Sequence, residues 1–202
     1  TKIDSFAACL APETTVNVTF LPGTDPMETV AVTKRLHNDG MKAVPHLAAR
    51  SLKDADQLDG LLAAYRAEAG VDGILILDLP PEESGNYSET MKEHGLCPIF
   101  LVAPTTPPER IDSIVQHGRG FIYYVSREGV TGMQSEVSSR IDEMAASIKQ
   151  RTHLPIAIGF GISNPEQARQ VSAAGNAIVV GSAIVNRIAE MGGQPEMVDS
   201  VC

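Results

Sequence analysis

Apolar positions along this chain fall into two alternating patterns. Short runs rich in Val and Ile lie at 15–20 (TVNVTF), 43–48 (AVPHLA), 73–78 (GILILD), 98–102 (PIFLV), 120–125 (GFIYYV), 155–160 (PIAIGF) and 177–181 (AIVVG). Between them run longer stretches of helical period. Near-continuous apolar runs suit strands buried on both faces, and their alternation with helix-length segments predicts a parallel sheet with crossover helices. Helix starts are marked by Asp25 with Pro26 and Glu28, Thr106 with Pro107 and Glu109, and Ser163 with Pro165 and Glu166. Each offers an N-cap oxygen with a carboxylate three residues on. In the helix predicted over 136–151, Val137, Ile141, Met144, Ala145 and Ile148 share one face and leave Arg140, Glu143 and Lys149 to solvent. Residues 2–10 read as a further helix, with Ile3, Phe6, Ala7 and Leu10 at three- and four-residue spacings.

A strand–helix repeat of this regularity fits an open doubly wound sheet or a closed (β/α)8 barrel. Glycine-rich segments after the last three strands favour the barrel. The length of 202 residues and 43% hydrophobic content suit one domain over 1–202. Seven runs are legible where a barrel has eight, so the first strand is expected to be incomplete or rearranged. Such a barrel would have two unpaired edges, which predicts a homodimer through the gap or a terminal segment filling it.

Charge and cysteine content narrow the partners. A net charge of −9 repels polyanions, and no basic run offsets it, so nucleic acid is excluded. Cys9, Cys97 and Cys202 show no metal-ligand spacing and are expected to be reduced thiols. The start TKIDSFAACLAP has no basic region before an apolar stretch, and no apolar run approaches ~20 residues. A cytoplasmic protein with no membrane partner and no cofactor is expected.

The candidate chemistry is anion binding. SREGVTG (126–132), GFGIS (159–163) and GSA (181–183) follow successive late strands. Glycine lets backbone amides approach an anion closely, and a helix starting near Ser182 would aim free N–H groups at the same point. A phosphate or phosphorylated small molecule is the predicted ligand. GFGISN is no dinucleotide fingerprint, because Asn164 stands where a third glycine is needed.

From GVDGILILDLPPEES (70–84) through PIFLVAPTTPPERI, GFIYYVSREGVTG, LPIAIGFGISNPEQA and AIVVGSAIV, the chain resembles the tryptophan synthase alpha subunit family. That resemblance implies a (β/α)8 barrel that cleaves indole-3-glycerol phosphate to indole and glyceraldehyde 3-phosphate. It implies phosphate contacts from Gly132, Gly161, Gly181 and Ser182, with Tyr123 facing the substrate and Phe160 lining the indole pocket. The family's catalytic carboxylates lie in a block resembling E-L-G-x-P-F-S-D-P-x-A-D-G, and this chain has VNVTFLPGTDPMET (16–29) at that place. Asn17 falls where the glutamate would be, and a carboxamide shuttles no proton. Glu28 reads as part of a capping box, so no catalytic residue is expected.

Residues 14–52 instead resemble methylenetetrahydrofolate reductases, flavin-dependent barrels with V-T-[FY] and V-P-H-L strands. The likeness runs to about residue 72 and places Thr19 and His46 at positions that line the flavin pocket. Read from its own neighbours, His46 is expected to be a hydrogen-bonded core histidine. Arg127 and Glu128 read as a solvated pair on the rim, and Asp78 as a polar group facing the pocket. Two signatures meeting near residue 70 predict a recombined, engineered barrel scaffold that keeps the phosphate site without native catalysis. The alternatives are an alpha-type lyase and a flavin-dependent folate reductase. In the alpha family the beta-subunit contact uses loops after the second and third strands, the region replaced here, so docking of a beta subunit is not expected.

Overall fold

Each of the seven apolar runs carries a strand in the computed structural model, most of them shorter than the run itself. The structure describes residues 5–8, 10–20, 23–76, 79–126, 134–159 and 161–191. The strands are β1 (Thr15–Val18), β2 (Lys42–Leu47), β3 (Gly73–Ile76), β4 (Cys97–Val102), β5 (Ile122–Val125), β6 (Ile156–Gly159) and β7 (Ala177–Val179). The helices are α1 (Pro26–Asn38), α2 (Ala55–Ala69), α3 (Pro81–Glu93), α4 (Pro108–His117), α5 (Gln134–Lys149), α6 (Pro165–Ser172) and α7 (Ser182–Met191). Helix and strand alternate throughout.

The chain forms two compact units, Thr1–Phe100 and Leu101–Val201. In the first, β1, β2, β3 and the opening residues of β4 pair in parallel and in chain order. In the second, the last residues of β4 pair with β5, β5 with β6 and β6 with β7, again in parallel. Every connection between neighbouring strands carries a helix, as parallel pairing requires.

Register commits each strand residue to one of two faces. In the first unit Val18, Leu36, Met41 and Ala43 form one apolar cluster, with Phe6, Leu10 and Val16 packed against it. Alternation therefore turns Asn17, Val44 and His46 to the opposite face. In the second unit Ile122, Tyr124, Ile156 and Ile158 are buried, with Ile111 and Ile114 of α4 and Ile141 and Ile148 of α5 also buried. Tyr123 and Ala157, paired in register, lie on the other face.

The helix starts depart from expectation in two of three cases. Asp25 caps α1 as predicted, its Oδ1 accepting from the Met27 amide at 2.9 Å. Thr106 does not cap α4: its hydroxyl accepts from the Ala103 amide at 2.9 Å and closes the preceding turn. The Pro107–Pro108 pair explains the shift, because α4 starts at Pro108 with Pro107 as its cap and no side-chain cap bond. At α6 the cap is Asn164, one residue later than predicted; its Oδ1 accepts from the Gln167 amide at 2.9 Å, and Gln167 Oε1 accepts from the Ser163 amide at 2.9 Å. Near the N-terminus the described residues form a short 3-10 turn, Phe6–Ala8, in place of the predicted helix. The Asp39 carboxylate takes the Phe6 amide at 2.7 Å, and Phe6 is packed into the α1 cluster.

Gly70 ends α2 in the left-handed region, φ 61°, its amide bonded to the Tyr65 carbonyl. A Cβ there would lie 2.5 Å from the His37 ring on α1. Gly70→Ala therefore combines left-handed strain with displacement of His37 and is expected to lower unfolding stability by roughly 2 kcal/mol. Urea denaturation with an unchanged m-value checks it.

Candidate functional site

Of the predicted anion-binding residues the second unit places Gly161, Gly181 and Ser182 just after the carboxyl ends of β6 and β7. β6 ends at Gly159, whose carbonyl accepts from the Ser126 amide at 2.9 Å, tying the end of β5 to the start of the next loop. Gly161 then adopts φ 59°, a conformation that L side chains rarely adopt. Buried Ile162 anchors the loop, and α6 begins three residues later. After β7, Gly181 and Ser182 open α7, with the Gly181 carbonyl accepting from the Val185 amide at 3.0 Å. A Cβ built on Gly161 would stand 3.8 Å from Ser182 Oγ. Gly161 and Ser182 are thus neighbours at the exposed rim, beside the first-turn amides of α7. Gly132 and Phe160 lie outside the described residues, as do Asp78, Arg127 and Glu128.

Tyr123 stands on β5 on the face opposite buried Tyr124, and burial raises its hydroxyl above the usual phenolic range. Its ring fits over Gly159: a Cβ there would meet Tyr123 Oη at 2.8 Å and Cε2 at 3.1 Å. Ala157 and Gly159 are the small residues of their face, and that is what admits a phenol. The absence of a side chain at Gly159 was the signal, legible only once the register with β5 is known. A cleft of about 440 Å³ also lies in this unit, bordered by Tyr124, Arg140 and Met144. Tyr124 places it on the helix side, away from Tyr123.

The first unit holds the second polar feature. Asn17 Oδ1 and both ring nitrogens of His46 are fully covered and find no hydrogen-bond partner among the described residues. Here the expectation of a hydrogen-bonded core histidine fails. His46 lies on the face of β2 opposite the α1 cluster, with Leu75 as its register partner on β3. Burial alone pushes its pKa down to about 4. Thr19, expected to line a pocket beside it, is exposed just beyond β1. No group of three or more His, Cys, Asp or Glu side chains suited to a metal ion occurs among the described residues.

Comparison with known proteins bears on both features. A family model described as tryptophan synthase alpha chain matches residues 9–201. The chain belongs to the tryptophan synthase alpha chain family. The alpha chain of Opitutus terrae is 55% identical over 141 residues, which cover 69% of this chain and 53% of that protein. The alpha chain of Alkalilimnicola ehrlichii is 47% identical over 141 residues, covering 70% and 52%. The chain thus spans about half the length of the curated relatives it matches. Tryptophan synthase from M. tuberculosis in an open form superimposes with a TM-score of 0.74 at 28% identity, over 89% of this chain and 66% of that one. A Pyrococcus furiosus structure described as the tryptophan synthase a2b2 complex gives 0.75 at 30% identity, over 89% and 71%. The fold class is the predicted one, parallel α/β of the barrel type.

These matches overturn the reading of a recombined scaffold without native catalysis. The family model runs without a break across the junction expected near residue 70, and the relatives at 47–55% identity are named alpha chains. The misreading has a physical source. V-P-H-L falls on β2, where a parallel strand buried on both faces calls for the same few apolar residues in any barrel, and of V-T-F only Val18 lies within β1.

His46 gives a prediction with a definite sign. Its folded pKa of about 4 lies below the unfolded value of 6.5, so the unfolded state binds the extra proton between those pH values. Stability is full above pH 6.5 and falls as pH drops toward 4, with a total loss from this group of roughly 3 kcal/mol. Chemical denaturation of wild type and His46→Phe at pH 7 and pH 4.5 should show a smaller pH dependence in the variant. Identical slopes would exclude the assignment.

Proposed function

We propose that this chain is a lyase of the tryptophan synthase alpha type, cleaving indole-3-glycerol phosphate to indole and glyceraldehyde 3-phosphate. The observation that carries the reading is the neighbouring of left-handed Gly161 and Ser182 at the start of α7. Together with Gly181 they offer backbone amides, a hydroxyl and a helix N-terminus to one phosphate, a combination suited to a phosphate monoester. Gly132 and Phe160 complete the proposed site by resemblance, and Tyr123 supplies a neutral phenol on the inward face of β5. Family membership supports the choice of lyase over other uses of such a rim.

The cleavage breaks one carbon–carbon bond. A proton must reach the indole ring carbon while the hydroxyl on the departing glycerol carbon loses one. Asn17 has no proton to exchange at the position that resembles the family's glutamate, so proton transfer is the slow part of the proposed reaction. Restoring the carboxyl by Asn17→Glu is expected to raise indole release about 100-fold, the lower end of what a positioned acid–base group contributes. Coloured indole adducts give the readout. If neither wild type nor the Asn17→Glu variant releases indole above background, the lyase reading is wrong.

The phosphate site is tested separately. Gly161→Ala forces a side chain into the left-handed region and shifts the amides of the rim. Calorimetric titration with inorganic phosphate should show at least tenfold weaker binding in the variant, about 1.4 kcal/mol. A beta-type partner, against the expectation drawn from the loops after the second and third strands, belongs to the same proposal, supported by the Pyrococcus furiosus relative's description as an a2b2 complex.

A further inference from the structure

The cleft on the helix side of the second unit is used neither by the core nor by the phosphate rim. Its volume is about 440 Å³, within the range of small-molecule pockets. Ile111 of α4 and Tyr124 of β5, each 1% exposed, form its floor, and Met144 of α5 adds to the apolar lining. The flanking helices are tied together at one end. Arg151, just after α5, donates to Asp112 Oδ1 of α4 at 2.9 Å and to the Ser147 carbonyl and Oγ at 2.7 and 2.8 Å. Its polar lining is rich in donors. Thr106 Oγ1 accepts from the Ala103 amide and Ser147 Oγ accepts from Arg151, so each hydroxyl keeps its hydrogen for a further acceptor. Arg140 adds guanidinium donors, and Glu143, one turn along the same helix, supplies a carboxylate.

We infer that this cleft binds a free α-amino acid with an apolar side chain. Arg140 takes the carboxylate, with the Thr106 and Ser147 hydroxyls as further donors in the same cleft, and Glu143 takes the ammonium. The side chain lies on the floor of Ile111, Tyr124 and Met144. The spacing of the two charges decides the class. Residues three apart on a helix have Cβ atoms about 5–6 Å apart, and an amino acid carries both of its charges on one carbon. A peptide separates those charges to its two ends, and a plain carboxylic acid meets Glu143 with a like charge. Exposed ion pairs contribute little by themselves, so the apolar floor supplies affinity and the two charges select the ligand. The cleft is independent of the lyase reading, because Tyr124 lies on the face of β5 opposite Tyr123.

The test is calorimetric titration of the whole chain with L-phenylalanine, beside phenylpropionate, which lacks the ammonium, and phenethylamine, which lacks the carboxylate. Saturable binding of L-phenylalanine is expected, about fivefold tighter than either analogue, the upper end for an exposed ion pair. Glu143→Gln should weaken L-phenylalanine by a similar factor and leave phenylpropionate no weaker than before. Arg140→Gln should weaken L-phenylalanine and phenylpropionate alike and leave phenethylamine unchanged. Both positions are exposed, and unaltered far-UV circular dichroism shows the variants folded. No saturable binding, equal affinity for the three probes, or indifference to both substitutions overturns the proposal. Displacement of L-phenylalanine by inorganic phosphate overturns it as well, since the probe would then sit at the rim. Indole release enters none of these readouts, so a failed lyase assay leaves this experiment decisive.

Discussion

Parallel pairing is the constraint on which the rest of this protein depends. A strand in such a sheet has two buried faces, and the two-residue repeat assigns every side chain to one of them. In the second unit the Ile156–Ile158 alternation fills the helix side, which leaves Ala157 and Gly159 for the other face. Tyr123 can lie inward only because those two are small. In the first unit the same rule places Val16, Val18 and Ala43 against α1 and turns Asn17 and His46 away from it. The location of both candidate sites is therefore a by-product of where the helices bury their apolar stripes.

The strands were legible because a doubly buried strand has almost no freedom in composition; GILI and IAIG can be little else. Their ends were less so, since hydrogen bonding, not hydropathy, decides where pairing stops, and Thr19 and Phe20 continue the apolar run after β1 has ended. Caps depended on which of several adjacent oxygens finds a free amide. At 163–167 both Ser163 and Asn164 qualify, and the proline at 165 selects Asn164 by sitting at the first helical position. The phosphate rim was readable as glycine-rich loops, but the neighbouring of Gly161 and Ser182 is a fact of three dimensions. His46 was misjudged because a sequence shows that a polar residue lies in an apolar run and says nothing about its partners.

The family question shows the same limit from another side. Short strand motifs recur among barrels because they answer one packing problem, so V-P-H-L carries little ancestry. The longer blocks around 70–84 and 120–132 include loop residues that packing does not dictate. They pointed to the alpha family, in agreement with the match over residues 9–201.

The two polar features also differ in how they treat charge. A chain of net charge −9 repels an anion at long range, yet the rim residues Gly161, Gly181 and Ser182 carry no charge of their own. Backbone amides and a helix N-terminus act within the first turn, inside a screening length of about 8 Å at physiological salt, where the distant carboxylates are weak. Amides do not titrate, so attraction at the rim follows the ionisation of the phosphate ligand alone. His46 is neutral at the same pH for a different reason, burial without a counter-charge.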